Sequence, residues 1–175
     1  ADHFISNIHP VKTMEISNSE VIRKVYRNRI NSLENTTSIF SLNIIFKSKS
    51  FQYIPSNYCC FTQDKVWDCM NYEDEEWPTS YTLFCNRSQK DPEFAETATV
   101  MVYMKYEEVK NWESTYNVIN SPEERGEEYE AFKRRKAEIL LNSIEIKFPN
   151  IRDSIQSYYT CSPLTYRDYM GTNDG

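Results

Sequence analysis

Apolar and polar positions divide the chain into stretches of different period. Residues 36–46, TTSIFSLNIIF, are rich in β-branched and aromatic side chains, which fit a pleated surface better than a helix. Residues 57–63 (NYCCFTQ) and 80–88 (SYTLFCNRS) read the same way. Residues 97–106 set Ala98, Val100, Val102 and Met104 on one side against Thr99, Met101, Tyr103 and Lys105 on the other, the period of two of a strand with one packed face. At the start, DHFIS reads as a short strand running into the turn NIHP.

Two regions follow the helical period instead. In SNSEVIRKVYRNRINSL, Ser17 and Glu20 have capping-box spacing, and Val21, Ile22, Val25, Tyr26, Ile30 and Leu33 fall near one face, which predicts a helix over residues 18–33. In residues 121–149, Ser121 is placed to cap, Pro122 suits the first helical position and Glu124 completes a capping box. Acidic residues open this helix, KRRK follows at 133–136, and Tyr129, Phe132, Leu140 and Ile144 line one face until Pro149 stops it. The expected fold is α+β, a mixed and mainly antiparallel sheet of four to five or more strands with helices packed on one side. NYEDEEWP (71–78) and NRSQKDPE (86–93) read as loops.

Composition narrows the function. Among 175 residues the net charge is −6, with both signs interspersed, so no electrostatic footprint for nucleic acid exists. No apolar run reaches 18 residues, and the opening residues lack a basic and an apolar signal region. Thirteen tyrosines and nine phenylalanines supply large buried areas with polar handles. The five cysteines form an odd set without a C-x-x-C pair and only two histidines accompany them, so zinc spacing is missing and unpaired thiols in the cytoplasm are expected.

Self-contained catalytic machinery is not written in the chain. With only Gly126, Gly171 and Gly175, no phosphate-cradling loop is available. His9 reads first as a turn histidine, Cys161 as an inert thiol without a histidine nearby, and Glu73, Asp74, Glu75 and Glu76 as a solvated loop lacking calcium-ligand spacing. The KRRK run is expected to be neutralised by neighbouring glutamates. Aromatics on a sheet suit either an ordinary core or the lining of a pocket for a long apolar ligand.

A resemblance adds to this reading. ADHFISNIHP, residues 1–10, resembles the strand and Asn-x-x-Pro turn that lead out of the FAD domain in phytoene desaturase-like flavoproteins. CSPLTYRDYMGTNDG, residues 161–175, looks like that family's return segment, T-P-L-T-[YF]-x-x-Y-x-G-[ST]-x-x-G, with Pro163, Leu164, Thr165, Tyr166, Tyr169, Gly171, Thr172 and Gly175 matching. FPNIRDSI, residues 148–155, is similar to its approach, and Trp77-Pro78 resembles a W-P-x-S motif ahead of a strand. The agreement covers about a quarter of the chain and is strongest with the branch containing carotenoid isomerase and retinol saturase. Cys161 and Met170 stand where that family often has threonine, so no role for hydroxyls is carried to them.

The resemblance implies three parts: residues 1–10 at the edge of an FAD domain, 11–160 as a substrate-binding domain, and 161–175 returning toward the FAD domain of the same polypeptide. It implies a piece of an FAD-dependent oxidoreductase that saturates, desaturates or isomerises a conjugated polyene or related lipid, inactive alone, with NAD(P) use left open and a membrane surface as a further partner of the full enzyme. No catalytic residue is assigned. Asn7, His9 and Pro10 are expected near flavin, and Pro163, Thr165, Tyr169 and Gly171 beside the substrate cavity, either touching substrate or forming a proline-started helix pinned by tyrosines. The alternatives are a stand-alone module for an apolar ligand or protein partner, without redox activity, and a structural oligomerisation domain.

Overall fold

The computed structural model describes residues 2–17, 19–62, 64, 66–172 and 174–175. Its elements are α1 (Pro10–Ile16), α2 (Lys24–Asn31), β1 (Ser38–Phe46), β2 (Tyr58–Phe61), β3 (Ser80–Arg87), β4 (Ala95–Met104), α3 (Gly126–Glu145), α4 (Ile151–Ser154), β5 (Ile155–Cys161) and α5 (Pro163–Met170). All five strands join one antiparallel sheet in the order β2-β3-β4-β1-β5, so the fold is α+β.

The alternation read from residues 97–106 is the alternation of the sheet. Phe40, Leu42, Ile44 and Phe46 of β1, Leu83 of β3 and Ala98, Val100, Val102 and Met104 of β4 are buried on one face. Against them α3 lays Tyr129, Phe132, Ala137, Leu140, Leu141 and Ile144. Contacts at and just past its C-terminal end fix the helix over the sheet. The Tyr81 hydroxyl donates to the Ser143 carbonyl at 3.4 Å, and Phe148 meets Phe51 and Tyr58 edge-on at 5.9 and 5.3 Å between ring centroids. Each fully buried leucine or isoleucine in this layer contributes roughly 1.5–3 kcal/mol.

Several elements depart from the pattern. DHFIS forms no strand: residues 2–8 are exposed and make no ladder, and the fifth strand is β5. A five-residue stretch without a paired neighbour leaves its backbone groups to water, whereas IQSYYTC lies beside β1 from Ser41 to Phe46. The helix expected over 18–33 is confined to α2, with α1 before it. Ser17 follows α1 as its C-terminal cap, and Asn18 lies outside the described residues. Val21, Val25, Tyr26 and Leu33 are exposed, so their common face has nothing to bury against.

The capping box expected at Ser121 and Glu124 is not used. Ser121 instead pairs with Val118 in a short bridge, and α3 starts at Gly126, whose φ of 80° reverses the chain before the helix. The KRRK run is only partly a solvated one. Lys133 pairs with Glu130 at 2.9 Å and Arg134 with Glu127, but Lys136 is buried, pairs with Glu108 and sits 4.6 Å from the Trp77 ring centre. The 71–78 loop likewise has an interior side. Tyr72 and Trp77 are buried, and a 3-10 turn spans Asp74–Glu76. No helix among the described residues is long and apolar enough to cross a membrane.

Candidate functional site

The second face of the sheet carries no long helix among the described residues, although Tyr166 of α5 covers Ser41, which is buried. Tyr103, Ile45 and Tyr159 there are 40, 37 and 59% exposed, while α1 and α2 bury none of their residues. Strand register builds this face in rows. Cys59, Thr82, Met101, Ser41 and Cys161 cross all five strands. Phe84, Thr99, Asn43 and Tyr159 form the next row, and Asn86, Thr97, Ile45 and Ser157 the one beyond. Phe61 beside Ser80, and Ile39 beside Tyr103, complete it. None of these side chains is charged, in a chain of which 26% is Asp, Glu, Lys or Arg. A sheet face meant only for water usually alternates its buried residues with charged and strongly polar ones.

Polar groups on this face bond to one another rather than standing free. Thr99 Oγ1 donates to Asn43 Oδ1 at 3.0 Å, Asn43 Nδ2 donates to Ser41 Oγ at 3.2 Å, and the Tyr166 hydroxyl closes over Ser41 at 2.9 Å. Asn86 Nδ2 reaches Thr97 Oγ1 at 3.0 Å. Much of the remaining surface is apolar or aromatic, and a shallow hollow of about 190 Å³ opens between Ile39, Thr82, Phe84, Met101 and Tyr103. Burial pushes the Tyr166 phenol above its ordinary range; its bond to Ser41 opposes this and neighbouring Cys161 adds to it. Tyr81, on the opposite face, is pushed up by burial and by Cys60. Such a surface offers shape, π faces and a few neutral donors.

The segments that carry the resemblance meet at one end of the sheet. His9 Nε2 donates to Asn35 Oδ1 at 2.9 Å, and Asn35 Nδ2 donates to Asp174 Oδ2 at 3.1 Å. Pro10 holds the first position of α1, whose Lys12 passes 3.7 Å from the place a Cβ would occupy on Gly171. Asn7 is exposed, and among the described residues no hydrogen bond ties it to this junction. On the closing side Pro163 starts α5, with Ser162 accepting from Leu164 N at 3.2 Å and donating its own N–H to Thr165 Oγ1 at 3.3 Å. Gly171 ends the helix at φ 69°, a conformation that favours glycine. The proline-started helix is therefore present, and Tyr166 is one of the tyrosines that pin it.

Beneath α5 lies a buried ionic cluster. Asp168, fully buried at its side chain, pairs with Arg125 and with Arg167 at 2.7 Å, and accepts from the Asn117 N–H at 2.9 Å. Arg167 also donates to the carbonyls of Glu113, at 2.6 Å, and Thr115. Burial raises the Asp168 pKa, but Arg125, the Asn117 amide and Arg167 together outweigh it and hold the carboxyl below the usual carboxylate range. This cluster locks α5 to the loop before α3.

The expected site residues are thus divided. Thr165 and Tyr169 line a polar cleft of about 530 Å³ at the start of α3, together with Arg125 and Lys133. Pro163 is buried, Gly171 faces Lys12, and Cys161 lies near Asn43 on the open face, with 3.8 Å between Sγ and Nδ2. All five cysteines are free thiols, and no group of three or more His, Cys, Asp or Glu among the described residues is arranged to hold a metal ion. Sequence reasoning missed Asn35, Asn43 and Ser41. Their signal was present only as polar residues flanking or interrupting the apolar run of β1.

The chain matches no family model, no curated protein and no solved structure.

Proposed function

We propose that this chain is the substrate-covering domain of an FAD-dependent oxidoreductase of the phytoene desaturase-like type, acting on a conjugated polyene or related lipid. The observation that carries the reading is the uncharged, half-exposed sheet face opposite α3, whose rows of Phe84, Met101, Ile39, Tyr103 and Tyr159 suit a long apolar ligand. Neutral, self-satisfied hydrogen bonds among Thr99, Asn43 and Ser41 keep that face from demanding water. The meeting of His9, Asn35 and Asp174 agrees with a domain whose two connections pass side by side to one neighbour.

The residues here do not fit the flavin nucleotide itself. A dinucleotide needs a glycine-rich turn between a strand and a helix. Gly126 follows a long loop, while Gly171 and Gly175 follow α5. FAD therefore belongs to another part of the polypeptide in this reading, and the present residues would roof and orient substrate. A stand-alone module for an apolar ligand finds less support, because the one apolar hollow above, about 190 Å³, is smaller than the roughly 300–1,000 Å³ typical of small-molecule pockets.

Coding sequence on either side of residues 1–175, with the absorption spectrum of the polypeptide it encodes, tests the reading. A G-x-G-x-x-G strand-turn-helix upstream and bound FAD are expected. A reading frame without that fingerprint, whose product purifies free of flavin, overturns it.

A further inference from the structure

β5 ends the sheet with one side unpaired. Its register with β1 runs unbroken from Ser157 to Cys161, and among the described residues the backbone of residues 156–160 makes no hydrogen bond beyond that ladder. In an antiparallel strand alternate residues turn both N–H and C=O away from the neighbour, so this edge offers a row of donors and acceptors. IQSYYTC holds neither a charged residue nor a proline, the usual means of blocking an edge, and its bulge lies at its start. The opposite edge, β2, has four residues to the seven of β5.

What suits the β5 edge is set by α3 beside it. Tyr158 and Thr160, opposite Ile44 and Leu42, lie on the face that α3 covers. A hollow of about 390 Å³ lies between them and Glu130, Lys133 and Arg134. Along α3 the acids Glu127 and Glu130 precede the bases Lys133 and Arg134. These groups pair within the helix, Lys133 with Glu130 at 2.9 Å and Arg134 with Glu127, yet Glu127 and Arg134 keep 80 and 57% of their side chains exposed. A second copy turned about a two-fold axis between Glu130 and Lys133 lays α3 antiparallel to itself, each acidic turn against the other's basic turn. The hollow sets that point beside Tyr158, the middle of β5, where the same axis makes the two strands antiparallel. Helix charge and strand edge therefore select one partner, the chain itself.

We propose that β5 pairs antiparallel with β5 of a second copy about a two-fold axis near Tyr158, joining two sheets into one, with Glu130 of each α3 facing Arg134 of the other. This does not rest on the flavin reading, and its failure leaves that reading standing.

Sedimentation velocity of the chain over a range of concentrations tests it. A monomer–dimer equilibrium is expected. Tyr158→Lys sets two cations against each other at the axis and should weaken dimerisation at least about tenfold. Glu130→Lys and Arg134→Glu each place like charges across the axis and should weaken self-association by a similar factor, whereas an equal mixture of these two variants should dimerise like the parent. Thermal melting of the three should stay close to the parent, because each substituted side chain is exposed. A monomer at the highest soluble concentration overturns the proposal. So does unchanged self-association of Tyr158→Lys, a mixture of the charge variants that stays monomeric, or open-ended growth in place of a dimer.

Discussion

Asn35 donates to Asp174 at 3.1 Å while accepting from His9, so three residues spread over nearly the whole chain meet at one end of the sheet. An amide is suited to this position because it offers a donor and an acceptor at once. Replacing Asn35 with alanine removes both bonds on a partly solvated surface. The expected global cost is about 1 kcal/mol or less. Amide hydrogen exchange should register the loss locally, as faster exchange across α1 with the sheet unaffected.

The Asp168 cluster predicts a larger effect. Asp168→Asn leaves Arg125 and Arg167 buried without their carboxylate, and unfolding in urea should show a loss of about 3 kcal/mol or more. The pH dependence has a definite sign. Because the folded carboxyl titrates below its unfolded value of about 3.9, its contribution is complete above that value and is lost as pH falls through the lower folded one. The asparagine variant should lose less of its remaining stability across that acid window.

Lys136 is held in the core by Glu108, which also accepts from the Tyr72 hydroxyl at 2.5 Å. Burial, then the bond to Glu108, pushes the Tyr72 phenol well above its usual range. Lys136→Met should cost about 3 kcal/mol by leaving the carboxylate without its cation, whereas the double variant K136M/E108L should recover most of that loss. Chemical denaturation of the four proteins of this cycle measures it.

The physical reasons for what was legible in the sequence can be seen in particular residues. β1 to β4 were readable because Phe40, Leu42, Ile44, Val100 and Val102 repeat with the period of the pleat and are buried by it. β5 was not, since Gln156, Ser157, Tyr158 and Tyr159 sit on an edge strand and remain exposed, so no burial pattern marks them. The N-terminal helix was overextended because Val21 and Val25 keep helical spacing without a surface to cover. At the site, the Pro163 helix start followed from local chemistry. The Asn35 bridge and the Asn43 ladder did not, because each joins strands or ends far apart in sequence, and spacing holds no trace of such contacts.

The proposed roofing role is tested most directly by turnover of a conjugated polyene by the full polypeptide, expected under the proposal to contain flavin, carrying a charge on the open face. Phe84→Asp and Met101→Asp alter half-buried positions on that face, while Ile146→Asp, at an 87% exposed site just past α3, serves as the control. If the face roofs the substrate, both open-face variants retain FAD yet turn over polyene at least about tenfold more slowly, a barrier change of about 1.4 kcal/mol or more, and the control matches the parent. Parental turnover in both open-face variants, with flavin bound, contradicts the account.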